Sequence, residues 1–178
     1  MFLESAVAAF YGICAGAAAT LVGLLFVAVQ VGPPLATEGP VGRRHAMARS
    51  TYTIFTIIFV VALFLMLPTI PPVPRAEVVV VAALSGAFRA VRTWLPLWRD
   101  KLHGRVEFRL WQTAWLLVGP LACYIYLSAV GLVQIRTGGA TVIDRFAGTT
   151  FLLLFVIAIR NSWNLLVEAT ASALARPG

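Results

Sequence analysis

Acidic residues are scarce in this chain. Its 178 residues include seven Asp and Glu against fourteen Lys and Arg. Charged residues of both signs make up 12%, whereas an ordinary soluble domain carries about 25%. With 60% hydrophobic residues, a soluble fold of this length could not hide its apolar surface, so the natural solvent is lipid. Cysteine is nearly absent. Cys14 and Cys123 both fall inside apolar runs, which excludes a disulfide framework and points to buried, inert thiols. The two histidines, His45 and His103, sit among arginines in polar stretches. Without a nearby cysteine or acid pair they make no metal site, and no cofactor is expected. There is no P-loop, no GxGxxG after a strand, no HExxH and no Ser/His/Asp arrangement. A chain so poor in acids and histidines is not expected to be an enzyme. The excess of positive charge does not imply nucleic acid either, because the basic residues cluster at the ends of apolar runs rather than along one polar face. No cleaved signal peptide is expected: "MFLES" has no Lys or Arg, and the apolar stretch behind it is too long for an h-region.

What is present is a series of long apolar runs. A membrane helix needs about 20 apolar residues to cross about 30 Å of hydrocarbon. Five runs meet that length, at about 5–31, 52–70, 77–98, 110–133 and 145–166, and an interfacial helix could follow at 167–175. Gly32-Pro33-Pro34 ends the first and "PPVPR" the second, since proline cannot continue a helix. Gly119-Pro120 predicts a kink in the fourth. Four consecutive valines at 78–81 need not mean a strand, because an open sheet cannot exist in hydrocarbon, and the runs are too continuous for a barrel. The expected fold is therefore all-α: one polytopic transmembrane helix bundle over residues 1–178, with about five spans.

Loop charge sets the expected orientation. Arg43, Arg44, Arg49, Arg99, Lys101, Arg105, Arg109 and Arg176 fall on one side, and only Arg75, Arg136 and Arg145 on the other. By the positive-inside rule the N-terminus is outside and the C-terminus cytoplasmic, as in a multi-pass protein of a bacterial inner (plasma) membrane. Three arginines remain inside the apolar runs. On the fifth helix Arg160, Asn161, Asn164 and Glu168 share an arc of roughly 100°. On the third, Ser85, Arg89, Arg92 and Pro96 share roughly 60°. Both stripes belong to the cytoplasmic half of the bilayer, which suggests that they face each other or a common aqueous cavity. A charge at mid-bilayer costs at least about 2.5 kcal/mol, so it needs a partner, a cavity or a route to the surface. Trp94, Trp98 and Trp163 stand close by, and tryptophan marks the interface. The arginines could therefore also snorkel to lipid phosphates.

The first run is rich in small residues. Ala8, Gly12, Gly16 and Thr20 recur every four residues, with Ala15, Ala19 and Gly23 beside them. Such a ladder lets two helix backbones approach closely, either within the chain or between copies. "AGAAATLVGLLFVAVQV" at 15–31 and "RNSWNLLVEA" at 160–169 resemble the first-helix and C-terminal patterns of an uncharacterised family of small actinobacterial integral membrane proteins. The resemblance implies a polytopic inner-membrane architecture and makes Asn161, Trp163 and Glu168 parts of one patterned feature, while Arg160 departs from the pattern. The expected function is a homo-oligomeric pore or passive carrier whose basic polar layer (Arg89, Arg92, Arg160, Asn161, Asn164, Glu168) favours anions. The alternative is an accessory or regulatory subunit that binds a larger membrane partner. An enzyme acting on lipid-like substrates ranks last.

Overall fold

The computed structural model describes residues 2–31, 41–67, 69–102, 114–138 and 142–174. Among them all regular structure is helical: α1 (Phe2–Val31), α2 (Val41–Met66), α3 (Pro72–Leu102), a π turn (Ala114–Val118) running into α4 (Gly119–Thr137), and α5 (Val142–Leu174). Four segments are long and apolar enough to cross a bilayer: Ser5–Val27, Ala46–Met66, Pro72–Leu95 and Val142–Leu165.

The helix ends follow from proline and glycine chemistry. A proline at position 68 disfavours helical backbone at Leu67, and α2 stops at Met66 rather than reaching Ile70. α3 begins on Pro72, where a missing N–H costs nothing. The guanidinium of Arg75 then donates to the Leu67 carbonyl at 2.7 Å, tying the turn shut. Pro120 cannot donate to the carbonyl of Leu116, and its ring crowds that oxygen. The chain answers by widening into the π turn just before it. Gly138 ends α4 at φ +65° and donates its N–H to the Gln134 carbonyl at 2.9 Å. α2, α3 and α5 all exceed the runs read from hydropathy, because backbone hydrogen bonding continues past the hydrocarbon edge through residues such as Arg49 and Arg99. In particular, α5 is one unbroken helix to Leu174.

α2, α3, α4 and α5 form a closed four-membered ring, each packing on two neighbours, with α3 and α5 on one diagonal. α1 lies outside this ring against α2 and touches α5 more lightly. Neighbours in the ring run antiparallel. Phe55 meets Phe155 at 6.1 Å between ring centroids, Gly86 lies against Tyr124, and Gly119 against Ile157. Ile54, Ile58, Val61, Val79, Ala83, Leu127, Phe151 and Leu154 fill the interior. The outside is just as apolar, with Ile13, Val81, Phe88, Ile125, Leu152 and Val156 all more than half exposed. Helices that are hydrophobic all round belong in a bilayer.

Candidate functional site

The two ends of the bundle differ. At one end are the 67–72 and 138–142 connections. A buried glutamine, Gln134, holds that end together. Its Oε1 accepts from the Ile143 N–H at 2.9 Å, and its Nε2 donates to the Pro72 carbonyl at 3.1 Å. One side chain thus joins the start of α3, the end of α4 and the start of α5.

The other end carries the arginines of the α2 N-terminal half and the α3 and α5 C-terminal halves. Here all four ring members reach the centre. Ala46 and Met47 of α2 and Trp94 of α3 form a buried cluster, on which Leu117 of the π turn and Leu165 of α5 pack. One turn deeper on α2 is Thr51, and one turn deeper on α5 is Asn161. The antiparallel register fixed by Met47 near Leu165 and by Phe55 on Phe155 sets these two at one level. The Gly119–Ile157 contact places Trp115 at the same level, four residues back along the chain. The Arg160 guanidinium lies over the Trp115 ring, 5.0 Å from its centroid.

This end of the ring holds buried polar atoms that make no hydrogen bond among the described residues. Thr51 Oγ1, Trp94 Nε1 and Asn161 Nδ2 are screened from solvent and have no partner. Thr51 is 0%, Trp94 4% and Asn161 1% exposed, so the groups lie inside the ring. The rotamer of Thr51 is informative. On the same helix Thr53 and Thr56 return their hydroxyls to the Arg49 and Tyr52 carbonyls, both at 2.8 Å, and Thr93 does the same to Arg89 at 2.7 Å. The Thr51 hydroxyl makes no such back-bond. By register, Tyr124 sits about 9 Å deeper, against Gly86, and its hydroxyl is also unpartnered.

The arginines expected to share that interior do not enter it. Ser85, Arg89 and Arg92 form an exposed stripe on the outer face of α3, and Arg160 is exposed at the edge of α5. α3 and α5 face each other only across the ring centre, so these outward stripes are not brought together. The α5 stripe is itself split: Arg160 outside, Asn161 inside, Asn164 half-buried. The side chains of Glu168, Gln30 and His45 lie outside the described residues, as do His103 and Gln112. Trp163 is 66% exposed, in keeping with a membrane interface, whereas Trp94 faces inward instead.

The small-residue ladder of α1 also divides. Tyr11, Cys14, Ala15 and Ala18 are buried, mainly against α2, and Gly12 sits near the Met66 sulfur. Ala8 is half-buried. Gly16, Ala19, Thr20 and Gly23 are exposed, and nothing lies within 4 Å of where a Cβ would stand on Gly16 or Gly23. The closest helix approaches are elsewhere. A Cβ on Gly86 would collide with Ile57 and with the Tyr124 ring, and one on Gly131 would lie 2.6 Å from Val80.

Comparisons with protein-family models, curated proteins and solved structures return no match.

Two of its members have a signal in the sequence. Ala76, Ala83, Gly86 and Ala90 mark a small-residue face on α3 at helical spacing, and Trp94 continues it, which places the indole inward. Thr51 falls in phase with Met47, Ile54, Ile58 and Leu65, the buried face of α2.

Proposed function

We propose that this chain is a five-span protein of a bacterial inner membrane, with its N-terminus outside and its C-terminus cytoplasmic, that carries small anions across the bilayer. The orientation follows the loop charges. The likeness of residues 15–31 and 160–169 to small actinobacterial membrane proteins supports the choice of membrane. The span beyond the four long apolar helices, fourth in chain order, would be the π turn together with α4, which run antiparallel to both α3 and α5.

The observation that carries the reading is the trio of buried, unpartnered polar groups on Thr51, Trp94 and Asn161 near the basic end of the ring, with Arg160 at its rim. Hydrogen-bond donors kept dry beside a cation favour a negative guest. Side chains fill the ring axis above and below the layer, so a passive carrier fits better than an open pore through one chain. A homo-oligomeric pore would run between copies, where the exposed Arg89 and Arg92 could line it. Liposomes containing the purified protein test this reading. Electrogenic or exchange flux of chloride is expected, reduced at least about tenfold in Asn161→Leu. Liposomes as tight as protein-free controls would end it.

A second reading has its own support. The open Gly16/Thr20/Gly23 face of α1 is shaped to take another helix, as an accessory subunit would. It predicts a second membrane protein co-purifying at fixed stoichiometry. Isolation as a pure, self-sufficient species counts against it.

A further inference from the structure

We propose that Thr51, Trp94 and Asn161 form a dehydrated site for a single monovalent, weakly hydrated anion of halide size, and that Arg160, held over Trp115, tunes its affinity from outside. The inference rests on the reading of the protein as an anion carrier and names what that carrier takes.

Trp94 Nε1 and Asn161 Nδ2 can only donate, and the Thr51 hydroxyl can do so once it is not spent on its own helix. That hydroxyl is not spent, in contrast to Thr53 and Thr56. Three donors from three helices, Trp94 about one turn nearer the basic end than Thr51 and Asn161 and all closed off from solvent, find no acceptor among the described residues. Buried donors without an acceptor are costly and rare in native proteins, and a bound guest is one of the few explanations for them. A neutral water accepts well from two donors and then has its own protons to place. An anion accepts from all three and brings none.

Charge decides which anion. The donors are neutral dipoles, and the cation that accompanies them is at the rim rather than in the layer: Arg160 is exposed, with its guanidinium 5.0 Å from the Trp115 centroid. The cost of removing an ion from water grows steeply with its charge, and a buried charge persists only when paired and hydrogen-bonded. Three neutral donors can offset that cost for chloride, bromide, nitrate or thiocyanate. Three neutral donors are too few for sulfate or for the phosphate dianion, whose removal from water costs several times more. Arg89 and Arg92 do not add to them, because they point outward from α3. Arg160 is thus a positioning residue: its field makes the layer positive without its touching the guest.

Equilibrium binding of radiolabelled chloride to the purified full-length chain in nanodiscs tests the site without requiring transport. Saturable binding is expected, displaced by bromide, nitrate and thiocyanate and not by sulfate or phosphate at equal ionic strength. Thr51→Val and Asn161→Leu should each weaken it about tenfold or more. Both should keep or raise the thermal midpoint in sulfate buffer, which shows that they fold. Arg160→Gln should weaken binding less, and Arg160→Lys should restore part of it. Absence of saturable binding overturns the inference. So does binding that survives both Thr51→Val and Asn161→Leu, or displacement by sulfate as effective as by bromide. Saturable, Asn161-dependent binding without flux upholds the site and ends the carrier reading. Flux with no Asn161-dependent binding upholds the carrier and ends the site.

Discussion

Single atoms set the character of the bundle at two places. At Thr51 an unpartnered hydroxyl faces the interior. Leaving such a group unsatisfied costs about 1–3 kcal/mol, and replacing it by an apolar group of the same shape removes that cost. Thr51→Val should therefore raise the unfolding midpoint in halide-free buffer, by about 1 kcal/mol equivalent, while abolishing chloride binding. Thermal unfolding by intrinsic fluorescence measures this, and a destabilised Thr51→Val would mean that the hydroxyl is structurally engaged. At Gly86 the lack of a side chain is what matters. An added methyl would press on the Tyr124 ring, which is buried and cannot yield. Gly86→Ala should cost about 1–3 kcal/mol by overpacking, seen as a lower midpoint in the same assay.

Elements are joined by few polar contacts, which makes each one consequential. Gln134 bonds both to α3 and to the first turn of α5. In Gln134→Leu the Ile143 N–H and the Pro72 carbonyl lose their partner in a dry environment, at about 2–3 kcal/mol together. The expected result is a destabilised protein, most visible as faster amide exchange at the start of α5. α1 behaves differently, because among the described residues nothing lies within 4 Å of a Cβ at Gly16 or Gly23 on its outward face. Gly16→Leu should leave the midpoint of the monomer unchanged within about 0.5 kcal/mol. If that face takes a second helix, the same substitution should abolish cross-linked dimers or the co-purified partner.

At the scale of the whole molecule, the ring of α2, α3, α4 and α5 buries its polar layer close to one end. Thr51 lies five residues into the apolar segment that begins at Ala46, about 8 Å from that edge at 1.5 Å per residue. Under the carrier reading, a guest reaching the layer from the basic end would cross little hydrocarbon, and the larger barrier would lie on the far side, past Tyr124. The direction of access follows from topology. Cys14 and Cys123 are buried, so single new cysteines report cleanly. A cysteine at Thr137 should react with an impermeant maleimide on intact cells, and one at Arg99 only after permeabilisation. The opposite pattern would invert the orientation and place the layer next to the outer surface.

The apolar runs, the prolines and the scarcity of acids determined by themselves that the chain folds as long apolar helices suited to a bilayer, because backbone polar groups in lipid must bond within their own helix whatever the neighbours do. The disturbance near Pro120 was legible for the same local reason. Hydropathy was less informative on helix ends, since α2, α3 and α5 continue past the hydrocarbon where polarity no longer reports on helicity. It also could not tell Arg160 from Asn161. They are neighbours in the chain and 100° apart on the helix, and only the packing of α5 on α2 and α4 sent one outward and the other in. The side taken by the α3 arginines was likewise fixed by the ring. In lipid both faces of a helix are apolar, so a polar residue's own sequence context does not say which face meets protein. Tertiary contact alone made that choice, and with it the three-donor layer.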